Sequence, residues 1–302
     1  MTLTETPRRR DAAPRTAPGV EGWRLRGLPL VAVLVLVLGV VVFLYPQAAA
    51  WTNQKNQAAA LATTSKIHQS DGQRERATQL EAAHAYNDAL ASGALLKANS
   101  NVPTGDGDGA GQFDYRSMLA SPDGVMARIK YERAEIDLPV YHGTSDATLL
   151  RGIGHLQGTS LPIGGIGTRS VLTGHRGLAD ATMFTHLDRA DVGDRFTLEV
   201  LGEALVYRVV DIQIIEPEDT EALLPDPDRD MVTLVTCTPL GVNTQRILVT
   251  GERVTPTPSA AIAEVGAPSD LPGFPWWAVI LGAVLVIVTA YVWWSGYPSR
   301  SR

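Results

Sequence analysis

Two uncharged apolar runs bracket this chain, and they decide where the residues between them can lie. Leu28 to Tyr45 reads LPLVAVLVLVLGVVVFLY, and Phe274 to Trp294 reads FPWWAVILGAVLVIVTAYVWW. Each is about the length that crosses a hydrocarbon core. A cleaved signal peptide competes for the first run. Its length, and the only fair cleavage site at Tyr45-Pro46-Gln47, favour a retained anchor. In the second run Trp276 and Trp277 stand at one end and Trp293 and Trp294 at the other. Amphipathic rings prefer the membrane–water interface, so this pattern reads as a transmembrane helix and not as a buried core helix. Arg8, Arg9, Arg10, Arg15, Arg24 and Arg26 precede the first run, and Arg300 and Arg302 follow the second. Positive flanks stay inside, so the expectation is a two-pass cell-membrane protein with both termini cytoplasmic and the middle exported. The whole chain has a formal charge of −6, so basic tails leave an acidic middle. That balance excludes a nucleic-acid partner and leaves membrane lipid as a contact.

The middle changes character twice. Residues 52–98 are rich in Ala, Gln, Lys, Arg and Glu and predict one or two helices with a modest apolar stripe. NVPTGDGDGAG, residues 101–111, predicts a loop. From Val125 onward VMARIKY, AEIDLPVY, RSVLTGH, RFTLEVL, ALVYRVVDIQII, MVTLVTC and RILVTGERV follow one another. These are short β-branched runs punctuated by Gly, Pro, Asp and Asn, the pattern of a sandwich or barrel. VTPTPSAAIAEVGAPSDLPG then reads as an extended Pro/Ala/Ser linker. The expected division is a basic tail at 1–27 and a transmembrane helix at 28–46. A helical region with a possible lid loop follows at 47–122, then a β-domain at 123–254. A linker at 255–272, a transmembrane helix at 273–294 and a tail at 295–302 complete it.

Cys237 is the one cysteine of the 302-residue chain, so no internal disulfide can form. It ends a strongly strand-like run and faces the loop TPLGVN, where an exposed nucleophile would be placed. A buried β-core cysteine is the plainer alternative. The next strand begins at Arg246. Strands joined by a short connection lie side by side, so this guanidinium can return to the thiol and favour the thiolate, bind a carbonyl oxygen or stabilise an oxyanion. Cysteine chemistry also needs a proton donor and acceptor near neutral pH. His175 stands at a strand end in VLTGHRG, with His142 and His155 as rivals that spacing does not eliminate.

Thr233 to Cys237 (TLVTC), Leu172 to Gly177 (LTGHRG) and Arg246 resemble the signature sites of sortases, in the same order. LPVYHGTSDATLLRGIGHLQGTSLPIGG, GHRGLADATMFTHLD, VGDRFTLEVLG, TLVTCTPLGVNTQRILVTGERV and the upstream AYNDAL extend the resemblance, over roughly residues 80–254, to the class C sortases that polymerise pilins in Gram-positive bacteria. The resemblance implies a mainly β fold: a closed sortase-type β-barrel with N-terminal helices, flanked by two transmembrane helices. It implies that Cys237 attacks the Thr–Gly carbonyl of an LPXTG-like sorting signal and forms a thioester. Arg246 stabilises the oxyanion, and His175 protonates the leaving amine and later takes a proton from the incoming one. Thr236 and Thr173, beside these groups, are expected to bind substrate. The implied partners are pilin or surface-protein sorting signals and a lysine or cell-wall amine acceptor. No cofactor or metal is implied.

Two features depart from class C. The Asp-Pro-aromatic lid anchor is absent: Gly follows both Asp106 and Asp108, and the nearest aromatics are Phe113 and Tyr115. Lys130-Tyr131-Glu132 replaces the usual Ile-Pro before an early strand. Asp106-Gly107-Asp108-Gly109 superficially suggests a calcium loop, but Ala110 and Ser117 occupy liganding positions, so a polar loop is the better reading. A housekeeping or mainly hydrolytic sortase, and a non-enzymatic membrane scaffold, are the competing functions.

Overall fold

The computed structural model describes residues 23–70, 72–91 and 113–297. The expected lid stretch with Asp106 and Asp108 lies outside the described residues, as do Arg8, Arg9, Arg10, Arg15, Arg300 and Arg302. The chain divides into two compact units, Met1–Leu44 with Ala278–Arg302, and Tyr45–Trp277. In the first, helix α1 (Gly27–Ser70) begins and most of α5 (Trp276–Ser295) lies. Trp23 Nε1 donates to the Trp293 carbonyl at 3.0 Å and the Arg24 amide to the Gly296 carbonyl at 3.0 Å. Both helices are long and apolar enough to cross a membrane, and their apolar windows are almost entirely unburied. Side chains such as Val35, Val42, Val286 and Ile287 are exposed.

In the second unit α1 continues to Ser70 and α2 spans Gln73–Ala91. The strands are β1 (Val125–Tyr131), β2 (Ile136–His142), β3 (Ile153–His155), β4 (Thr168–Thr173), β5 (Arg195–Val200), β6 (Glu203–Ile215), β7 (Asp230–Thr238) and β8 (Gln245–Arg253). A short helix α3, Asp146–Leu149, separates β2 from β3. The strands close in the order β1-β2-β3-β4-β7-β8-β6-β5, the barrel the resemblance implied. The pairs β2/β3 and β4/β7 are parallel and the rest antiparallel. Period-2 alternation sends Ile129, Leu138, Leu172, Phe196, Leu198, Tyr207, Val232, Leu234 and Val249 into one core. Ala83 and Tyr86 of α2 join it. Asn87 fastens α2 further, its amide donating to the Leu161 carbonyl at 3.2 Å while the Leu161 amide donates to its Oδ1 at 2.7 Å.

Residues 255–272 are not an extended linker. A short helix α4, Ser259–Ala263, starts a segment that docks on β1 and β5. Lys130 Nζ meets Glu264 at 2.7 Å, Arg128 Nη1 donates to the Ala267 carbonyl at 2.7 Å, and the Gly266 amide donates to Glu199 at 3.0 Å. Composition marked the stretch as lacking a core of its own. The charged partners that hold it stand more than 60 residues upstream in sequence, beyond any local pattern. Lys130, one of the departures noted above, has its use here.

Phe113 and Tyr115 are also accounted for. Tyr115 is buried, packed on Tyr86, and its hydroxyl lies 2.8 Å from His155 Nδ1. His155 Nε2 lies 2.9 Å from the Ser160 carbonyl, which accepts only from an N–H. The proton therefore sits on Nε2, and Nδ1 accepts from Tyr115. Complete burial, which penalises the imidazolium, lowers the pKa of His155 to about 4. Its unfolded value is near 6.5, so the unfolded chain takes up a proton first on acidification. The stabilisation is full above about pH 6.5 and is lost as pH falls toward 4. Thermal melts at pH 7.5 and pH 5 should differ by about 2 kcal/mol more in the wild type than in His155→Gln. Parallel pH profiles for the two proteins would show that His155 contributes nothing to acid sensitivity.

Candidate active site

Strands β7 and β8 are antiparallel, and their register sets Cys237 directly opposite Arg246 and Val235 opposite Leu248. Alternation along β7 turns Val232, Leu234 and Thr236 toward the core and Thr233, Val235 and Cys237 to the outer face. Cys237 and Arg246 are therefore outward neighbours, with Cβ atoms about 5 Å apart, the spacing of a direct cross-strand pair. The thiol is free and half-buried. Arg246 Nη1 donates to the carbonyls of Asn243 at 3.1 Å and Gln245 at 2.9 Å, which orients the side chain across the strand end. Its remaining donors have no carboxylate partner among the described residues.

The parallel strand β4 delivers His175 from the other side. Thr173 pairs with Val235, and the pairing continues past the strand end. The Gly174 amide donates to the Val235 carbonyl at 3.1 Å, and Thr236 Oγ1 donates to the Gly174 carbonyl at 2.8 Å. His175 follows in the turn two residues past the end of β4, as Cys237 lies two residues past Val235 on β7. Position 174 must be glycine: a Cβ there would lie 2.7 Å from Ile153 Cδ1 and 2.9 Å from the Phe184 ring. The Phe184 amide then donates to the His175 carbonyl at 3.0 Å. Arg176 locks the turn to its surroundings. Its Nη1 donates to Thr238 Oγ1 at 3.1 Å, its Nε to the Thr185 carbonyl at 3.2 Å, and its Nη2 pairs with Asp188 at 2.7 Å.

The rival histidines are engaged elsewhere. His155 is fully buried between Tyr115 and Ser160, and His142 Nε2 lies 2.7 Å from the Met118 carbonyl. Of the two threonines expected to bind substrate, Thr236 is 1% exposed and spends its hydroxyl on Gly174. It holds the His175 turn to β7 and presents nothing outward, because its side chain follows the inward parity of the strand. Thr173 stands half-buried on the outer face beside Val235.

The sequence reading missed an apolar patch on that same outer face. Val171, Val235 and Leu248 are packed together there, with Leu156, Ile215, Ala222 and Leu223 against them. The i, i+2 relation of Val235 to Cys237 was a usable signal for it. Cys237 and Arg246 thus share one end of a face whose other end is apolar. That arrangement suits a peptide laid along β7 with a carbonyl at the thiol.

The Sortase domain family model matches residues 129–254. The structure of Streptococcus agalactiae sortase C1 in complex with MTSET is similar at 36% identity, covering 64% of this chain and 97% of that one, with a TM-score of 0.57. Sortase C-1 from Actinomyces oris is similar at 45% identity over 60% of this chain and 98% of its own, with a TM-score of 0.54. Sortase D of Bacillus subtilis is 26% identical over 130 residues, 42% of this chain. The curated relatives are matched over part of their length only, 63% in that case and 52% for sortase A of Streptococcus agalactiae.

Proposed function

We propose, from the premise that this chain belongs to the sortase family, that it is a cysteine transpeptidase that joins pilin subunits at the outer face of the cell membrane. The observation that carries this reading is the pairing of Cys237 with Arg246 across β7 and β8, with His175 two residues past the end of β4, the strand parallel to β7. Cys237 Sγ attacks the Thr–Gly carbonyl of an LPXTG-like signal. Arg246 donates to the oxyanion that develops, beside a thiol held on a rigid strand. His175 gives its proton to the departing glycine amine, and the C–N bond breaks as the thioester forms. A lysine amine of the next pilin then attacks the thioester and loses a proton to His175. The thiolate leaves, and an isopeptide bond remains. The acyl bond energy is conserved, so the reaction needs no nucleotide outside the cell. The apolar patch at Val171, Val235 and Leu248 suits the leucine of the signal.

Class C sortases among the structural neighbours favour a pilin lysine as acceptor over a cell-wall amine. The two apolar helices, with arginines on their outer flanks, support two membrane passes with the barrel outside. The full-length chain in detergent micelles should convert an LPXTG-type peptide and a lysine-bearing pilin fragment to an isopeptide product, read by mass spectrometry. His175→Ala and Arg246→Ala should each lower kcat/KM by about 10²–10⁴. Full activity in both variants would sink the assignment of roles. Transfer to wall-type amines but never to lysine would reassign the enzyme to surface-protein anchoring.

A further inference from the structure

The β6–β7 connection, residues 216–229, meets the outer face beside the nucleophile. Its 3-10 turn, Glu221–Leu223, sets Ala222 and Leu223 against Val171, Val235 and Leu248. Val235 is two residues from Cys237 on the same face of β7, about 7 Å along the strand. The turn therefore packs over the buried floor formed by Val171, Val235 and Leu248, beside the end of β7 that carries Cys237, and with Leu156 and Ile215 supplies the cluster's half-buried rim.

Arg169 of β4 stands under this turn. Its Nη1 donates to the Ala222 carbonyl at 2.6 Å and to Thr233 Oγ1 at 3.3 Å, and its Nη2 lies 3.4 Å from Met231 Sδ. Its Nε is buried and has no acceptor. Every partner of this guanidinium is neutral, and no ion pair of Arg169 exists among the described residues. Burial first, and the neighbouring Arg229 second, hold its pKa below the usual arginine range. The guanidinium is half-buried and makes no ion pair, with Asp226 and Asp211 acting on it only at longer range, and a methionine there would avoid the cost of that burial. What only the guanidinium supplies is a short, directed, charge-assisted bond to one carbonyl of the turn. The rest of the connection is tied near its ends, by Gln245 to Glu216 at 2.8 Å and by the Gly167 amide to the Arg229 carbonyl at 2.9 Å.

We propose that Arg169 is a positioning residue for the acyl donor: it latches the 3-10 turn so that Ala222 and Leu223 wall the apolar subsite beside Cys237. The proposal rests on the transpeptidase reading for the donor, but the latch itself does not. Side chains of the turn then help set which residue the subsite accepts, and the height of that wall depends on one hydrogen bond from the barrel.

The test uses the full-length chain in detergent micelles, with Arg169→Met and Arg169→Lys. Hydrogen exchange at residues 220–224 should quicken about tenfold in Arg169→Met and less in Arg169→Lys, with exchange elsewhere unchanged. With donor peptides carrying Leu or Ala at the first motif position, Arg169→Met should raise KM for the Leu donor about tenfold. Its kcat should stay within about threefold and the Leu-over-Ala preference should narrow, with Arg169→Lys recovering part of both. Alkylation of Cys237 by a small neutral reagent should be unchanged, which a general loss of structure would not allow. Unaltered exchange at 220–224 would overturn the latch. A loosened turn with unaltered KM and preference would overturn the donor role. A wild-type chain that transfers no peptide, with the exchange result intact, would overturn the transpeptidase reading and the donor role together and leave the latch standing.

Discussion

Cys237→Ala is expected to lower acyl transfer by about 10⁴-fold or more while leaving the barrel as stable as before. The size of the loss follows from the chemistry. Without sulfur no thioester forms, and His175 and Arg246 are left around a carbonyl that only water or the acceptor amine can attack directly. An amide resists both, and splitting the step through a covalent intermediate is what the thiol contributes. The unchanged stability follows from position. The side chain is half-buried at the mouth of the strand pair and belongs to neither apolar cluster. Removing one sulfur there opens no core cavity. Intact-mass spectrometry after mixing with donor peptide should show an acyl adduct on the wild type and none on Cys237→Ala. A large drop in melting temperature, with an activity loss no greater than the unfolded fraction, would instead make this cysteine a packing residue and favour the scaffold reading.

The half of the site that was legible in the sequence is the half built by neighbours in the chain. Cys237 and Arg246 belong to consecutive antiparallel strands, so a short connection and alternating side chains suffice to pair them. His175 follows β4, whose parallel pairing with β7 joins residues more than 60 apart in sequence, and no local pattern reveals that register. Motif resemblance chose it among three histidines; the structure shows the physical reason the other two are engaged, one buried against Tyr115 and one tied to Met118. That the Thr236 side chain turns inward was not legible, because a motif letter says nothing about strand parity, and one step along β7 turns a side chain from solvent to core. The outer patch and Arg169 were invisible for a related reason. Both depend on the β6–β7 connection folding back on a face that the strand runs alone leave open.

Asp137→Ala should destabilise the barrel unit by about 3–5 kcal/mol, the typical cost of leaving a buried charge without its partner. Arg128 and Asp137, 6% and 8% exposed, are diagonal neighbours across β1 and β2, where Arg128 is opposite Pro139 and Asp137 opposite Lys130. They form a two-pronged pair, Nε to Oδ1 at 2.6 Å and Nη2 to Oδ2 at 2.8 Å. The third prong, Nη1, holds the Ala267 carbonyl, and Glu199, 3.7 Å from Nη1, holds the Gly266 amide. Burial keeps the Glu199 carboxyl above its usual range, against the pull of that amide and of Arg128. With Asp137 gone, Glu199 is the remaining carboxylate on the guanidinium, so it should ionise more readily and recover part of the loss. The melting temperature should fall by about 10 °C, judged from the entropy of unfolding a unit of this size. Replacing both residues, Arg128→Leu with Asp137→Val, separates two roles that the single change mixes. Buried ion pairs exchanged for apolar pairs often cost little, so the double variant should regain most of the stability. It cannot regain the bond to Ala267, so hydrogen exchange and proteolysis at residues 264–270 should stay fast. A double variant with a protected segment would mean that α4 and the residues after it dock by Lys130–Glu264, Gly266–Glu199 and apolar contact, and that the buried guanidinium serves the barrel and not this segment.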